Sequence, residues 1–313
     1  MRRLVAVVAL VVLALSGCQT SPAAPRTAPD WRASLDSLEK LDDHPLWTMR
    51  YEGGYDRMKG VTTPPPATPY GCSLFLAGAE ADPLFARNFD WNHGPAMLLF
   101  TDPPDGHASV SMVDLRILGA ADPAGADRDL LVDAPLLPVD GMNAEGLAIG
   151  LAAVPEADTG TGPERPTVGG LRAIRLVLDE ASTVDEAVAV FEEHNIDFSG
   201  GPSLHYLVAD ATGRSVVIEF VDGEVSVLPV RTAVNFTMAE STEESRQADR
   251  RYRTATEGLP GATDWRSAMD LLDRVRQNHT QWSVVYGLRA GDIHLATAGN
   301  LDRVHDFDLA MAG

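Results

Sequence analysis

The sequence predicts an α+β domain built of stacked layers. From residue 71 onward, short apolar runs of strand character alternate with turn chemistry. A pair of adjacent amphipathic helices interrupts them, and the last third returns to strands after one more helix. At 313 residues the chain can bury a substantial core, and no internal repeat divides it.

The N-terminus reads as targeting rather than fold. Arg2 and Arg3 precede an unbroken apolar run, Leu4 to Leu15, too short to span a bilayer comfortably. It ends in Leu15-Ser16-Gly17-Cys18, which resembles a bacterial lipobox, with cleavage before the cysteine and lipid attached to it. Residues 1–17 are therefore expected to be a lipoprotein signal peptide. Cys18 is expected to be a lipidated membrane anchor outside the cytoplasm, firm if several acyl chains are attached. An ordinary secretory signal containing Cys18 is the alternative.

Residues 18–71 are expected to form a lipidated linker and propeptide. Ser21 to Pro29 reads as a tether. Trp31, Leu35, Leu38 and Leu41 fall at helical spacing and predict a short amphipathic helix over 31–41. Pro64-Pro65-Pro66 and Pro69 make a stiff, extended approach to Gly71.

Residues 72–313 are expected to be the working domain. Strands are predicted at 73–78, 83–91, 96–101 and 109–118, with Asp102-Pro103-Pro104-Asp105-Gly106 as a turn. Residues 140–146 read as a loop feeding a strand at 147–154. Helices follow at 171–180 and 183–193, the second opened by a Thr183-x-x-Glu186 capping box. Strands 204–210 and 215–221 flank a hairpin turn, and 225–230 and 233–236 extend the sheet. A helix over 264–276 precedes strands 282–288 and 293–297.

Charge and composition narrow the partners. The net charge of −20 argues against nucleic acid, whose phosphates require a basic face. The eight histidines show no metal-ligand spacing, and single ones such as His205 read as structural. Gly160-Thr161-Gly162 lacks the third glycine of a dinucleotide loop, and there is no Gly-x-Ser-x-Gly elbow. No cofactor or metal is expected.

The chain is organised around Cys72, one of only two cysteines. With Cys18 committed to lipid, it has no disulfide partner in a compartment where disulfides are common. It follows Gly71, whose small side leaves the peptide bond accessible, and it opens a core strand. Scission of Gly71–Cys72 would give one residue both a thiol and an α-amine. Free α-amines titrate at roughly 7.7–8.0 and thiols at roughly 8.5, so the amine can accept the thiol proton near neutral pH. A buried core cysteine is the alternative.

Gly71-Cys72-Ser73-Leu74-Phe75 and Ala86-Arg87-Asn88-Phe89-Asp90-Trp91 are similar to the opening of the linear-amide C–N hydrolases. That group of N-terminal-nucleophile enzymes includes choloylglycine hydrolases, penicillin V acylases and isopenicillin N acyltransferase, with acid ceramidase a relative. Gly141 to Gly150, the strands Leu207 to Asp210 and Val216 to Glu219, and Thr280-Gln281-Trp282-Ser283-Val284-Val285-Tyr286 extend the resemblance over residues 71 to 308. It implies the four-layer αββα fold and a catalytic set of Cys72, Arg87, Asp90, Asn235 and Arg251.

In that scheme Cys72 is the nucleophile, and the freed amine is its base. Arg87, 15 residues on, favours thiolate. Asp90, 18 residues on, orients the amine. Asn235 donates to the oxyanion. Arg250, Arg251 and Arg253 compete for the last position, and a solvated helix face is the alternative for all three. An i,i+3 surface pair is the alternative for Arg87 and Asp90, and a strand-end turn for Asn235. Several family members carry Asn or Tyr where this chain has Leu151-Ala152-Ala153-Val154, so the resemblance gives no basis for bile-salt or penicillin specificity.

The implied activity is hydrolysis of a small-molecule N-acyl amide through a thioester. An acyltransferase of the same group and a non-catalytic binding lipoprotein are the rivals. If the bond before Cys72 is cut, the propeptide is expected to stay docked, with the 31–41 helix as its handle.

Overall fold

The computed structural model describes residues 31–58 and 71–312. The Leu4 to Leu15 run, Cys18, the tether to Pro29 and the proline run lie outside them. The chain enters through a 3₁₀-helix, Trp31–Ser37, and the strands β1 (Glu39–Lys40) and β2 (Leu46–Tyr51). A hairpin follows, β3 (Gly71–Ala79) and β4 (Asp82–Asp90), and then β5 (Ala96–Thr101) and β6 (Ser109–Asp114). β7 (Asp140–Asn143), β8 (Ala148–Val154) and the short β9 (Thr167–Gly169) lead to helices α1 (Gly170–Glu180) and α2 (Val184–Glu193). Next come β10 (Asn195–Asp197), β11 (Ser203–Ala209), β12 (Ser215–Val221), β13 (Glu224–Leu228) and β14 (Thr232–Ala233). Helices α3 (Glu243–Ala248), α4 (Arg250–Gly258) and α5 (Trp265–Val275) precede β15 (Thr280–Gly287), β16 (Asp292–Thr297) and β17 (Val304–Asp308).

Two large sheets result. The first has nine strands in the order β1-β2-β5-β6-β7-β8-β11-β12-β13, and the second six in the order β14-β3-β4-β15-β16-β17. They pack face to face through β3 and β8, α1 and α2 cover the outer face of the first, and α5 that of the second. This is the expected four-layer αββα arrangement of an α+β fold.

The period-2 pattern of the central hairpin explains why it sits in the middle. Cys72, Leu74, Leu76, Phe85 and Phe89 join the core shared with the first sheet. Phe75, Ala77, Leu84 and Ala86 pack instead with Met269, Leu271, Leu272 and Val275 of α5. A strand buried on both faces needs apolar residues at odd and even positions alike. The charged and amide groups of Arg87, Asn88 and Asp90 in such a strand therefore require internal partners.

Local signals were often sufficient. The Thr183–Glu186 capping box forms, and Asp264 caps α5 through Ser267. Three expectations change. Residues 140–143 form an interior strand rather than a loop, because β6 and β8 flank them on both sides. The predicted 31–41 helix is a 3₁₀-helix ending at Ser37, after which the chain turns into β1. Residues 39–51, expected in the linker and propeptide, supply two strands, with β2 parallel to β5.

Gly150 marks a close approach of the two sheets. A Cβ there would lie 2.7 Å from Leu74 Cδ2 and 3.2 Å from the Phe85 ring, with both neighbours buried. Gly150→Ala is expected to destabilise the domain by about 1–3 kcal/mol through overpacking. Urea unfolding with an unchanged m-value checks it.

Candidate active site

The hairpin register assembles the first half of the site. Antiparallel pairing places Gly71 opposite Asp90, Cys72 opposite Phe89 and Leu74 opposite Arg87. Cross-strand partners share a face, so Cys72 and Arg87 both point between the sheets, one diagonal step apart. The 15-residue spacing seen in the sequence is thus a consequence of strand length and a tight turn. Gly71 keeps this corner uncrowded, because a Cβ would press on the Gln277 amide and lie 3.0 Å from Asp90 Cβ.

Arg87 is fully buried. Its Nη2 donates to Cys72 Sγ at 3.1 Å, and its Nη1 donates to Asp140 Oδ2 at 3.0 Å and to the Val139 carbonyl at 3.1 Å. Asp140 lies on the opposite sheet and is equally buried. It also accepts from Tyr286 Oη at 2.6 Å and Trp282 Nε1 at 3.4 Å. Burial raises its carboxyl above the usual range, against the opposing pull of Arg87, Tyr286 and Trp282. The Trp282 ring in turn stacks on Phe89 at 4.2 Å.

The second half comes from distant parts of the chain. Asn235 Oδ1 accepts from the Cys72 backbone N–H at 2.7 Å and from Arg251 Nη2 at 3.0 Å. The Asn235 amide nitrogen donates to the Ala153 carbonyl at 2.8 Å. Arg251 Nη1 donates to the Cys72 carbonyl at 2.6 Å and lies 4.0 Å from Asp90 Oδ2. Arg251 is the second residue of α4, where the Asp249 side chain caps the backbone N–H groups of Arg251 and Tyr252. Arg250 turns away to the Arg274 carbonyl and Arg253 to that of Gln247, so only Arg251 enters the site.

Asp90 is held by Thr280 Oγ1 on one oxygen and by Gln277 Nε2, at 2.7 Å, on the other. The partner of the Cys72 nitrogen is Asn235 rather than Asp90. Of the other four residues expected from the sequence, Arg87, Asn235 and Arg251 therefore contact Cys72, and Asp90 lies one contact further out, beside Arg251. Asp140, Tyr286, Gln277 and Thr280 join them without having been singled out as site residues. Asp140 was hidden in a stretch that read as a turn, and the other three touch the site only through Asp140 or Asp90. Among the described residues no cluster of His, Cys, Asp or Glu is placed to hold a metal ion.

With the Gly71–Cys72 bond intact, two effects compete at the sulfur. Burial pushes the Cys72 thiol up, Arg87 and Arg251 pull it down and Asp90 pushes it up again, leaving it at about 11. Desolvation outweighs the arginine expected from sequence to favour thiolate. The site offers a buried thiol beside a fixed cation, with the backbone nitrogen of the same residue aimed at an amide oxygen.

Removing one partner of the Arg87–Asp140 pair strands a buried charge. Asp140→Asn or Arg87→Met is expected to cost about 3–5 kcal/mol, and Arg87→Met/Asp140→Leu together less than either alone. Equilibrium denaturation of the three variants checks the order.

The family model described as acyl-coenzyme A:6-aminopenicillanic acid acyl-transferase matches residues 134–294, just over half of the chain. Among solved structures, penicillin V acylase from Agrobacterium tumefaciens is similar, with 18% identity, 76% of this chain and 86% of that one covered, and a TM-score of 0.55. A variant of conjugated bile acid hydrolase from Clostridium perfringens is similar at 15% identity, covering 76% of this chain and 92% of that one, with a TM-score of 0.59. No curated protein sequence matches. The chain belongs to the acyl-coenzyme A:6-aminopenicillanic acid acyl-transferase family, among the N-terminal-nucleophile enzymes of choloylglycine hydrolase-like fold.

Proposed function

We propose that this protein cleaves its own Gly71–Cys72 bond and then hydrolyses a small-molecule N-acyl amide with Cys72 as an N-terminal nucleophile. One observation carries the reading. The sulfur has a buried guanidinium at 3.1 Å while the nitrogen of the same residue is held at 2.7 Å by Asn235. A structural cysteine requires neither contact.

In the first step Sγ attacks the Gly71 carbonyl carbon, the C–N bond to Cys72 breaks, and the nitrogen leaves as an amine. Water then hydrolyses the Gly71 thioester. In turnover the α-amine takes the thiol proton, sulfur attacks the substrate carbonyl, and the amine returns the proton to the leaving nitrogen. Water releases the carboxylic acid from the thioester. Asn235 and Arg251 set the amine, Arg87 faces the sulfur, and the Asn235 amide group serves the oxyanion. Asp90 acts one contact further out, through Arg251.

The family's description names an acyl-coenzyme A transferase. Acyl-coenzyme A is a cytosolic metabolite, whereas the lipobox at Cys18 directs this chain outside, so hydrolysis is the favoured direction. The anchor and the cut are compatible because the N-terminal segment is built into the fold. β2 pairs along its length with β5. Tyr55 Oη and Arg57 Nε both donate to the buried Asp179, at 2.9 and 2.8 Å.

Active material is expected to begin at Cys72 on N-terminal sequencing, with the smaller fragment co-eluting on gel filtration. Against a panel of chromogenic N-acyl amides, Cys72→Ala is expected to lose at least about 10³-fold in activity, and Asn235→Ala about 10²–10³-fold in kcat. An unprocessed yet active enzyme, or an active Cys72→Ala variant, would sink the reading. Dominant transfer to an added amine would instead favour the acyltransferase.

The thiol near 11 also predicts how processing depends on pH. A raised thiol pKa means that the protonated form is the stable one in the folded precursor. Only roughly one molecule in 10⁴ carries thiolate at pH 7, and that fraction rises about tenfold per pH unit below 11. Autocleavage of refolded precursor is expected to follow the same rise. A flat rate between pH 7 and 9 would show that scission does not wait for thiolate.

A further inference from the structure

His205, a residue that read as structural in the sequence, is wholly buried on β11 and joins three segments. Nδ1 lies 2.7 Å from Glu219 Oε1 on β12, and Nε2 lies 2.7 Å from the carbonyl oxygen of Val234. Glu219 is itself engaged on both oxygens. Oε1 accepts from the Met238 N–H and Oε2 from the Ala239 N–H, each at 2.8 Å. Burial raises the Glu219 carboxyl, but His205 and these backbone donors outweigh it and hold the group below the usual carboxylate range. Both ring nitrogens thus face acceptor atoms, a carboxylate on one side and a backbone carbonyl on the other.

The contacts fall on either side of one residue. The Val234 carbonyl precedes Asn235, and the Met238 and Ala239 N–H groups follow it three and four residues on. A single His–Glu pair thus pins both ends of the short loop that presents Asn235 to the Cys72 nitrogen, to Arg251 and to the Ala153 carbonyl. A polar network buried this deeply specifies one geometry only when every member is satisfied, and here each polar atom of the pair has a partner.

We propose that His205 and Glu219 are positioning residues that set Asn235 against the reacting residue, so that their loss is felt in the chemical step. The proposal rests on the reading of Asn235 given above. A misplacement of ~1 Å in such a contact costs about 10²-fold in rate, more than the pair's contribution to substrate binding, since neither residue contacts the site directly.

The test compares His205→Phe, His205→Gln, Glu219→Gln and Asn235→Ala as processed, full-length enzymes, with circular dichroism and thermal unfolding as folding checks and a chromogenic N-acyl amide as substrate. His205→Phe is expected to lower kcat by about 10–10²-fold with KM within about twofold. His205→Gln, whose amide nitrogen can donate twice, should recover at least threefold of that loss. A folded His205→Phe with wild-type kcat beside an impaired Asn235→Ala overturns the proposal and spares the reading of Asn235. A fully active Asn235→Ala overturns that reading itself. If His205→Phe does not fold, Glu219→Gln, which keeps its shape, is read by the same kcat criterion. If no variant of the pair folds, the pair serves the fold alone and the proposal fails.

Discussion

A positive charge with no access to water sits between the two sheets, and the rest of the site is arranged to satisfy it. Arg87 has Asp140, the Val139 carbonyl and the Cys72 sulfur as partners, while its Nε has none among the described residues. An isolated cation at such depth is unstable without a counter-charge. Asp140 supplies it from the opposite sheet, and Tyr286 and Trp282 satisfy the remaining carboxylate lone pairs. The ion pair therefore fixes the lateral position of one sheet on the other, and the sulfur takes its environment from that lock. Replacing such a pair by apolar residues is often neutral or stabilising, so the fold alone gives no reason for its presence.

The sulfur shows which of two physical effects dominates. A guanidinium at hydrogen-bond distance lowers a thiol pKa, yet complete burial raises it further, and the thiol stands near 11. Arginine proximity alone does not activate this cysteine while its nitrogen is still an amide. A peptide nitrogen cannot accept a proton, whereas an α-amine can. The contacts around that nitrogen, Asn235 with Arg251 behind it, are already in place in the uncut chain. On the proposed reading, scission changes the chemistry of one atom and asks little movement of its neighbours.

What could be read from the sequence follows from locality. Cys72, Arg87 and Asp90 lie in one hairpin, where strand register converts spacing into distance. The capping box of α2 acts within a single turn and was equally legible. Arg251 could not be separated from Arg250 and Arg253 without knowing which side of α4 meets β3, because all three carry the same charge within four positions. Asp140 was missed for a related reason. Asp-Gly at the start of a polar stretch carries turn chemistry, and only pairing with β6 and β8 makes it a strand. The same tertiary override turned residues 39–51 from expected linker into sheet.

That last change alters how the N-terminal segment must be regarded. Its attachment does not depend on the short 3₁₀-helix, whose buried residues are only Ser34 and Leu35. It depends on a strand inside the nine-stranded sheet and on Asp179, which gathers Tyr55, Arg57 and the wholly buried Arg175. Arg172 of the same helix also donates to the Arg57 carbonyl. Withdrawing residues 46–57 would open one edge of β5 and leave Arg175 and Asp179 with fewer partners in a low-dielectric interior. Each hydrogen bond lost from a buried charge costs about 1.5–3 kcal/mol, on top of six residues of lost ladder pairing. A cut before Cys72 would therefore break a covalent link across two segments whose non-covalent interface is continuous with the core.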